Sequence, residues 1–302
     1  MTKPISFAPV LSALALALAL VLVACSGGSA PPPTPTSAPS DIARITLAST
    51  DLAVGGNRVV FALIQPGSGA VKDAQVEVQT FYLSGADSQR AVQTVPATFH
   101  EWPGGTAGVY RASLNFDRAG DWGLGVAAML PDGSGLNVGA RIAVKQTSST
   151  PAIGSPAPQS ESKTASDAPQ LTDITTDPKP DPDLYQISIA DAIVRSEPLL
   201  VTFATPAYCR TATCGPQMNI VKALKDKYVA RMNFIHVEVY DNPAEIREEG
   251  FSVARTAPAL AEWGLPSEPW TFVIDDAGIV RAKYEGFVDS DELEIAIAEV
   301  LP

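Results

Sequence analysis

Cysteine and histidine are both scarce in this sequence, which contains three cysteines and two histidines among 302 residues. Cys25 ends an apolar segment near the start of the chain, which leaves Cys209 and Cys214 as the two thiols able to pair within a mature protein. Disulfide chemistry within one molecule must therefore use Cys209 and Cys214, and other intramolecular disulfides are excluded.

Clusters of basic residues are also missing from the chain. The sequence has 21 Lys and Arg against 33 Asp and Glu, for a formal net charge of -12. Nucleic-acid binding depends on clustered cations that neutralise phosphates, so we predict no nucleic-acid partner. An acidic surface favours solubility and is mildly repelled by anionic lipid headgroups.

The apolar run near the start of the sequence is short for a membrane-spanning helix. It follows Lys3 and ends in Leu-Val-Ala before Cys25, which resembles a bacterial lipobox, the site where a cysteine is diacylated. We therefore predict a signal peptide over 1–24, lipidation of Cys25, and a Pro/Ser/Thr-rich stalk over 25–40. The anchored chain would lie on the extracytoplasmic side of the cell membrane, where disulfides persist. A transmembrane anchor and a plain secretory signal are the alternatives.

Residues 41–146 consist of short alternating runs separated by Gly, Asn, Asp and Pro, a pattern that predicts an all-β sandwich. Candidate strands are 42–47, 58–64, 75–82, 97–101, 109–116, 122–129 and 137–144. The run from Gly108 to Trp122 resembles the signature of YtkA-like and other bacterial immunoglobulin-like modules, and the resemblance implies a structural role for its aromatic residues. One histidine, His100, and one methionine, Met129, are too few for a copper site of the kind some related sandwiches carry.

Residues 147–184 are rich in Ser, Thr, Pro and Asp. Such a composition buries little apolar surface and favours extended or disordered chain. We therefore predict a disordered linker over 147–184, separating two independent domains.

The remaining residues, 185–302, alternate between strand-like and helix-like patterns, which predicts an α/β domain with helices on both faces of a sheet. Predicted strands are 199–204, 233–240, 270–275 and 280–285; predicted helices are 217–228, 244–250 and 290–300, with a short element at 186–197. The strand over 199–204 leads into a loop that holds Cys209 and Cys214. A thiol between a strand end and a helix N-terminus is in a redox-active setting, because the helix dipole stabilises a thiolate.

The start of that helix affects both thiols. Pro216 predicts that the helix proper begins after both cysteines, so that Cys209 feels the dipole less, while the neighbouring Arg210 offers compensating positive charge.

These residues, in this order, resemble the thioredoxin fold. The resemblance covers 185–302 and includes the cysteine pair after a central strand, a strand and Asn-Pro turn over 233–243, and a proline loop before the final hairpin. It implies a cis bond at Pro269, and a partner groove formed by Pro269 with Glu268, Trp270 and Tyr208.

The cysteine spacing departs from the family, which uses C-x-x-C where this chain has C-x₄-C. Two alignments are open. In the first, Cys209 takes the place of the exposed attacking thiol and Cys214 that of the buried resolving thiol. In the second, Cys214 is the first thiol, Gln217 replaces the second, and Cys209 is an upstream resolving partner. Either spacing brings the two Cα atoms within disulfide range.

The leading hypothesis is a lipid-anchored, monomeric thiol–disulfide oxidoreductase that acts on extracytoplasmic protein thiols and disulfides without a cofactor or metal. A non-catalytic scaffold with a structural disulfide is the alternative from a different class. A Cu(I)-handling protein using both cysteines and His236 is a third. His236 is the residue of the predicted sheet that titrates near neutrality, so it is either a proton relay or a buried core histidine.

Overall fold

The computed structural model describes residues 43–84, 88–103, 105, 107–210 and 212–301. All of them fall within one compact unit that extends from Pro39 to Pro302. The predicted signal peptide, Cys25 and the stalk lie outside the described residues. No helix in the described ranges is long and apolar enough to cross a membrane.

The first region, up to Val144, consists of strands. They are β1 (Arg44–Leu47), β2 (Gly55–Gln65), β3 (Gly69–Ala70), β4 (Gln75–Tyr82), β5 (Ala91–Glu101), β6 (Gly108–Phe116), β7 (Gly120–Met129) and β8 (Gly135–Val144). They pair in the order β1-β2-β6-β5-β4-β7-β8, with β3 on β2, and form a nearly closed sheet. β5 joins its two halves, because its residues up to Ala97 pair with β4 and those from Thr98 pair with β6.

Alternating side chains build the core of this region, as the sequence predicts. Along β7, Trp122, Leu124 and Val126 are buried while their neighbours are more exposed, the period of two expected of a half-buried strand. Trp122 packs edge-on against Phe116, with ring centroids 5.1 Å apart. The all-β prediction is confirmed, and β3 is a strand that the sequence pattern did not predict.

The described residues of the second region form a four-stranded sheet, five α-helices and a short 3₁₀ helix, Phe251–Val253. In chain order its elements are α1 (Ile189–Val194), β9 (Leu199–Ala204), α2 (Cys214–Tyr228), β10 (Asn233–Glu238), α3 (Pro243–Glu249), α4 (Pro258–Glu262), β11 (Trp270–Ile274), β12 (Val280–Glu285) and α5 (Ser290–Val300). The strand order is β10-β9-β11-β12. β10 runs parallel to β9, whereas β11 is antiparallel to both β9 and β12.

β9 lies in the middle of this sheet, and all six of its residues are buried. Leu199, Val201 and Phe203 face the side that α1 and α4 cover, and Leu200 and Ala204 face α2 and α5. A strand buried on both faces reads as a continuous apolar run rather than an alternating one, which is why its predicted bounds agree with the structure.

The disordered linker predicted over 147–184 is a point of difference, because these residues are ordered in the structure. They include the 3₁₀ helices Ala165–Asp167, Leu171–Asp173 and Pro182–Tyr185. Gly154 and Ala157 donate backbone hydrogen bonds to the carbonyls of Val280 and Gly278, at 2.8 and 2.9 Å. The segment thereby pairs with the start of β12 and the turn before it. Its order comes from these tertiary contacts, which a local composition rich in Ser, Thr and Pro does not reveal.

Ion pairs connect the first region to the end of the second. Arg58 on β2 donates from Nε to Glu292 at 2.8 Å, and Arg111 on β6 lies 3.0 Å from the same carboxylate. Arg58 also donates to the carbonyl of Phe287 at 2.9 Å. The Arg58 and Glu292 side chains are each 17% exposed, so this pair is partly shielded from solvent, unlike a typical surface ion pair.

Ile174 provides a test of order in the 147–184 segment. Its side chain is 5% exposed and packs in the core with α2 and α5. We expect Ile174→Ala to lower the free energy of unfolding by about 2–5 kcal/mol, because it removes buried methyl groups and leaves a cavity. Ile153→Ala is the matched control in the same segment. Ile153 is 62% exposed, and its change should stay within about 0.5 kcal/mol. Denaturant unfolding measures the free energy of unfolding of both variants. Equal losses in the two variants would contradict the conclusion that the 147–184 segment is packed against the core.

Candidate active site

Cys209 and Cys214 are joined by a disulfide in the loop that follows β9, with their Cα atoms 5.9 Å apart. Cys214 is the first residue of α2 and is fully buried, whereas Cys209 is half-buried. The prediction that the helix begins after both cysteines is therefore wrong. Pro216 is the third residue of α2, and a proline fits there because the first backbone N–H groups of a helix lack partners within it.

The start of α2 provides positive potential at both sulfurs. The backbone N–H of Cys214 donates to Sγ of Cys209 at 3.2 Å. The first turn of α2 contains no acidic residue, so nothing within that turn cancels the partial positive charge of the helix N-terminus. A thiolate on Cys209 would keep this N–H as a donor, and a thiolate on Cys214 would lie at the first helical position, where thiol pKa values are lowered.

The proline loop lies at the same end of the sheet as the disulfide. The peptide bond between Glu268 and Pro269 is cis. Trp270 then begins β11 directly opposite Phe203, one residue before β9 ends. Pro269 therefore lies beside the start of the cysteine loop, as the resemblance implies.

The four predicted groove residues differ in exposure. Tyr208 and Glu268 are half-buried, whereas Pro269 and Trp270 are buried. Trp270 stacks on Phe272, with ring centroids 5.7 Å apart. The resemblance implies that Trp270 shapes a partner groove with Pro269, Glu268 and Tyr208. Its ring is instead part of the core, because β11 turns it into the apolar face of the sheet.

Sequence reasoning missed an aromatic surface beside Cys209, formed by Tyr208, Tyr240 and Phe251. The three rings pack edge to face with centroids 5.0–5.9 Å apart. The Phe251 residue is 53% exposed. Burial raises the pKa of Tyr240, the negative charges of Glu268 and Glu238 raise it further, and the positive charge of Arg210 opposes them. The three rings come from segments that are separate in sequence, and no local pattern predicts that they meet.

His236 on β10 is a buried core histidine. The carbonyl oxygen of Ala204 can only accept, so Nε2 carries the proton and donates to it at 3.1 Å. Nδ1 then accepts from the hydroxyl of Tyr185 at 2.7 Å. Burial lowers the pKa of His236 to about 4, although the Ala204 hydrogen bond opposes the shift. Both ring nitrogens are used within the core, which favours the core interpretation over a proton relay.

Glu238, at the end of β10, is a second residue that the sequence did not single out. Its Oε2 accepts from the backbone N–H and the hydroxyl of Thr176, each at 2.7 Å. The hydroxyl oxygen of Thr176 in turn accepts from the N–H of Ala207 at 3.2 Å. Burial raises the pKa of Glu238 against the effect of these hydrogen bonds. Through Thr176, the predicted linker therefore supports the start of the cysteine loop.

Gln217 lies one turn after Cys214 and is fully buried. Its Oε1 accepts from the N–H of Val288 at 2.9 Å, which ties the first turn of α2 to the chain that follows β12. In the alternative alignment this residue replaces a family cysteine. The burial of Cys214 together with the partial exposure of Cys209 favours the first alignment, in which Cys209 is the accessible thiol.

The described part of the chain contains no group of three or more His, Cys, Asp and Glu residues arranged to hold a metal ion. The copper hypothesis also needs an available nitrogen on His236, and both of its nitrogens are hydrogen-bonded in the core. The hydrogen bonds of His236 therefore do not favour its use as a copper ligand.

No family model and no curated protein matches the sequence. Among solved structures, the chain is similar to a candidate thiol:disulfide interchange protein DsbE from Chlorobium tepidum, with 15% identity, 50% of this chain and 99% of that chain covered, and a TM-score of 0.36. It is also similar to dsbF from MTB, with 18% identity, coverage of 36% and 85%, and a TM-score of 0.29. It is also similar to the PmoD soluble domain from Methylocystis sp., with 15% identity, 35% of this chain and 92% of that chain covered, and a TM-score of 0.22. At such TM-scores these similarities carry no argument about fold or activity.

The burial of His236 predicts a pH dependence of stability. The unfolded chain binds a proton at this residue near pH 6.5, whereas the folded chain does so only near pH 4. Between these values the unfolded state holds more protons, so stability rises with pH and levels off above about 6.5. The contribution approaches about 1.4 kcal/mol per pH unit.

We expect His236→Gln to remove this slope, as measured by denaturant unfolding from about pH 4 to 7. Glu238, whose pKa is raised, contributes a slope of opposite sign in both proteins. The difference between wild type and variant therefore isolates His236. A difference that is constant with pH would show that the folded histidine titrates normally.

Proposed function

We propose that this chain is a thiol–disulfide oxidoreductase with a thioredoxin-like second region and the Cys209–Cys214 pair as its redox site. The observation that carries the proposal is the asymmetry of the disulfide. The Cys209 end is half-exposed, while Cys214 is buried at the first residue of a helix. This is the arrangement in which one sulfur can be attacked and the other can leave as a stabilised thiolate.

The reaction begins when a thiolate of a partner dithiol attacks Sγ of Cys209. The Cys209–Cys214 bond breaks, a mixed disulfide forms with Cys209, and Cys214 leaves as a thiolate stabilised by the α2 N-terminus. The second partner thiolate then attacks the partner's own sulfur, which forms the partner disulfide and releases Cys209. Two electrons and two protons have then passed from the partner to the cysteine pair. The reverse sequence reduces a partner disulfide.

Partner binding would use the surface next to Cys209. Tyr208 directly precedes Cys209 and its ring packs with those of Tyr240 and Phe251, whose exposed ring offers apolar contact. Glu268 precedes the cis proline. Aromatic side chains give large contact area at low entropic cost. A protein thiol or disulfide in an extended segment is the partner that suits such a surface.

The sequence supports a location outside the cytoplasm. In this proposal Cys25 carries a lipid that anchors a monomeric chain to the membrane, and the first region is an immunoglobulin-like module. The supporting features are the apolar run that ends at Cys25, the polar stalk after it, and a disulfide, which persists in an oxidising compartment.

Two cysteine variants test the redox role. Oxidised glutathione should form a stable mixed disulfide with reduced Cys214→Ser, because Cys209 is accessible and its resolving partner is gone. We expect the same reaction of Cys209→Ser to be slower by at least about tenfold, because Cys214 is buried. Mass spectrometry of quenched samples measures both rates, and each variant serves as the control for the other.

Wild type should interconvert reversibly between disulfide and dithiol in dithiothreitol buffers while it remains folded. A bond that resists reduction until the chain unfolds would contradict the proposal. The disulfide would then be structural, and the non-catalytic scaffold would be the better account, since Cys214 already packs within the core.

A further inference from the structure

Glu285, the last residue of β12, connects three parts of the chain through one carboxylate. It is 8% exposed. Its Oε2 accepts from the backbone N–H groups of Thr50 and Asp51 at 2.7 and 3.1 Å. Its Oε1 accepts from the hydroxyls of Thr50 and Ser267, both at 2.5 Å. A carboxylate offers about four acceptor sites, so these four donors fill its capacity.

Ser267 is the end of this connection nearest the redox site. It stands two residues before the cis proline, and its hydroxyl oxygen also accepts from Nε1 of Trp270 at 3.1 Å. Just after Glu285, the N–H of Gly286 donates to the carbonyl of Pro269 at 2.9 Å. Residues 285 and 286 therefore hold both ends of the 267–269 loop.

Thr50 and Asp51 are the other end, in the loop between β1 and β2 of the first region. Their contacts with Glu285 span more than two hundred residues of sequence. A charge-assisted hydrogen bond is roughly twice as strong as a neutral one. Losing one donor of a buried carboxylate is therefore costly, and we expect the remaining donor groups to shift in response.

We propose that Glu285 is a positioning residue through which the first region sets the 267–269 loop for partner binding. The inference rests on the proposed function and extends it, because it gives the first region a part in partner recognition. The loop carries Glu268 and Pro269 beside the cysteine loop. A shift of this loop changes how an extended partner segment fits. It has a much smaller effect on the reaction of a small dithiol, because such a molecule does not bind to this surface.

Glu292 is the matched control. It is also a carboxylate that reaches across to the first region, with Arg58 and Arg111 as its ion-pair partners. Those ion pairs involve neither the Glu285 carboxylate nor the Ser267 side chain. A general weakening of the contact between the regions therefore affects Glu285→Gln and Glu292→Gln alike, whereas positioning of the loop affects the first much more.

The experiment uses the whole oxidised chain and compares two reductants, dithiothreitol and the cysteine-containing peptide Gly-Ser-Phe-Cys-Ser-Gly. Each disulfide consumes two peptide molecules: the first forms a mixed disulfide with Cys209 and releases the Cys214 thiolate, and the second displaces Cys209 to give the peptide disulfide dimer. The measured quantity is the rate at which the peptide reduces the Cys209–Cys214 disulfide, divided by the rate at which dithiothreitol reduces it. We expect Glu285→Gln and Ser267→Ala each to lower this ratio about fivefold. Ser267→Thr keeps the hydroxyl and should restore it, and Glu292→Gln should leave it within about twofold of wild type.

An unchanged ratio in Glu285→Gln, or an equal fall in Glu292→Gln, overturns the inference while the proposed function stands. Absence of reaction between wild type and both reductants overturns the proposed function instead. In that case hydrogen exchange of the Gly286 amide, which is bonded to Pro269, decides the positioning. We expect it to be about fivefold faster in Glu285→Gln than in Glu292→Gln, and equal rates reject the role of Glu285.

Discussion

The candidate site depends on the close approach of the end of β9 and the start of α2, and the disulfide links the loop between them to the first residue of α2. β9 is buried on both faces, so the position where it ends is fixed by packing against helices on both sides. Ten residues after the end of β9, α2 begins at Cys214 itself. The helix N-terminus then provides both a donor to Cys209 and a favourable place for a thiolate on Cys214. Burial gives the two sulfurs different accessibility, which is the property that directional thiol exchange needs.

Buried carboxylates connect distant segments to this site. Glu238 binds Thr176 of the 147–184 segment, and Thr176 binds the cysteine loop. Glu285 binds residues 50–51 of the first region and Ser267 of the proline loop. A buried carboxylate left without its donors costs far more than an ordinary hydrogen bond contributes. The cysteine loop and the proline loop are therefore both strongly constrained by residues that precede β9, namely Thr176 and residues 50–51.

Local patterns predicted the strands and helices well where one strong periodicity dominates. The bounds of β9, β12 and α5 agree with the structure, and the cysteine pair and the proline loop were found from spacing and resemblance. The order of 147–184 was not predicted, because it depends on the edge of β12 and on Glu238, which lie far away in sequence. The same reason applies to the aromatic surface. The start of α2 was missed because Pro216 is compatible with the third helical position as well as the first.

Alkylation of the reduced chain is the most direct measurement of the central claim. A limiting amount of iodoacetamide at neutral pH, followed by peptide mass mapping, reports which of the two thiols reacts first. We expect Cys209 to be modified first, because it is only half-buried and its sulfur accepts a hydrogen bond from the Cys214 N–H, and we expect Cys214 to stay protected while the chain is folded. Preferential modification of Cys214, or equal modification of both thiols in the folded chain, would contradict it.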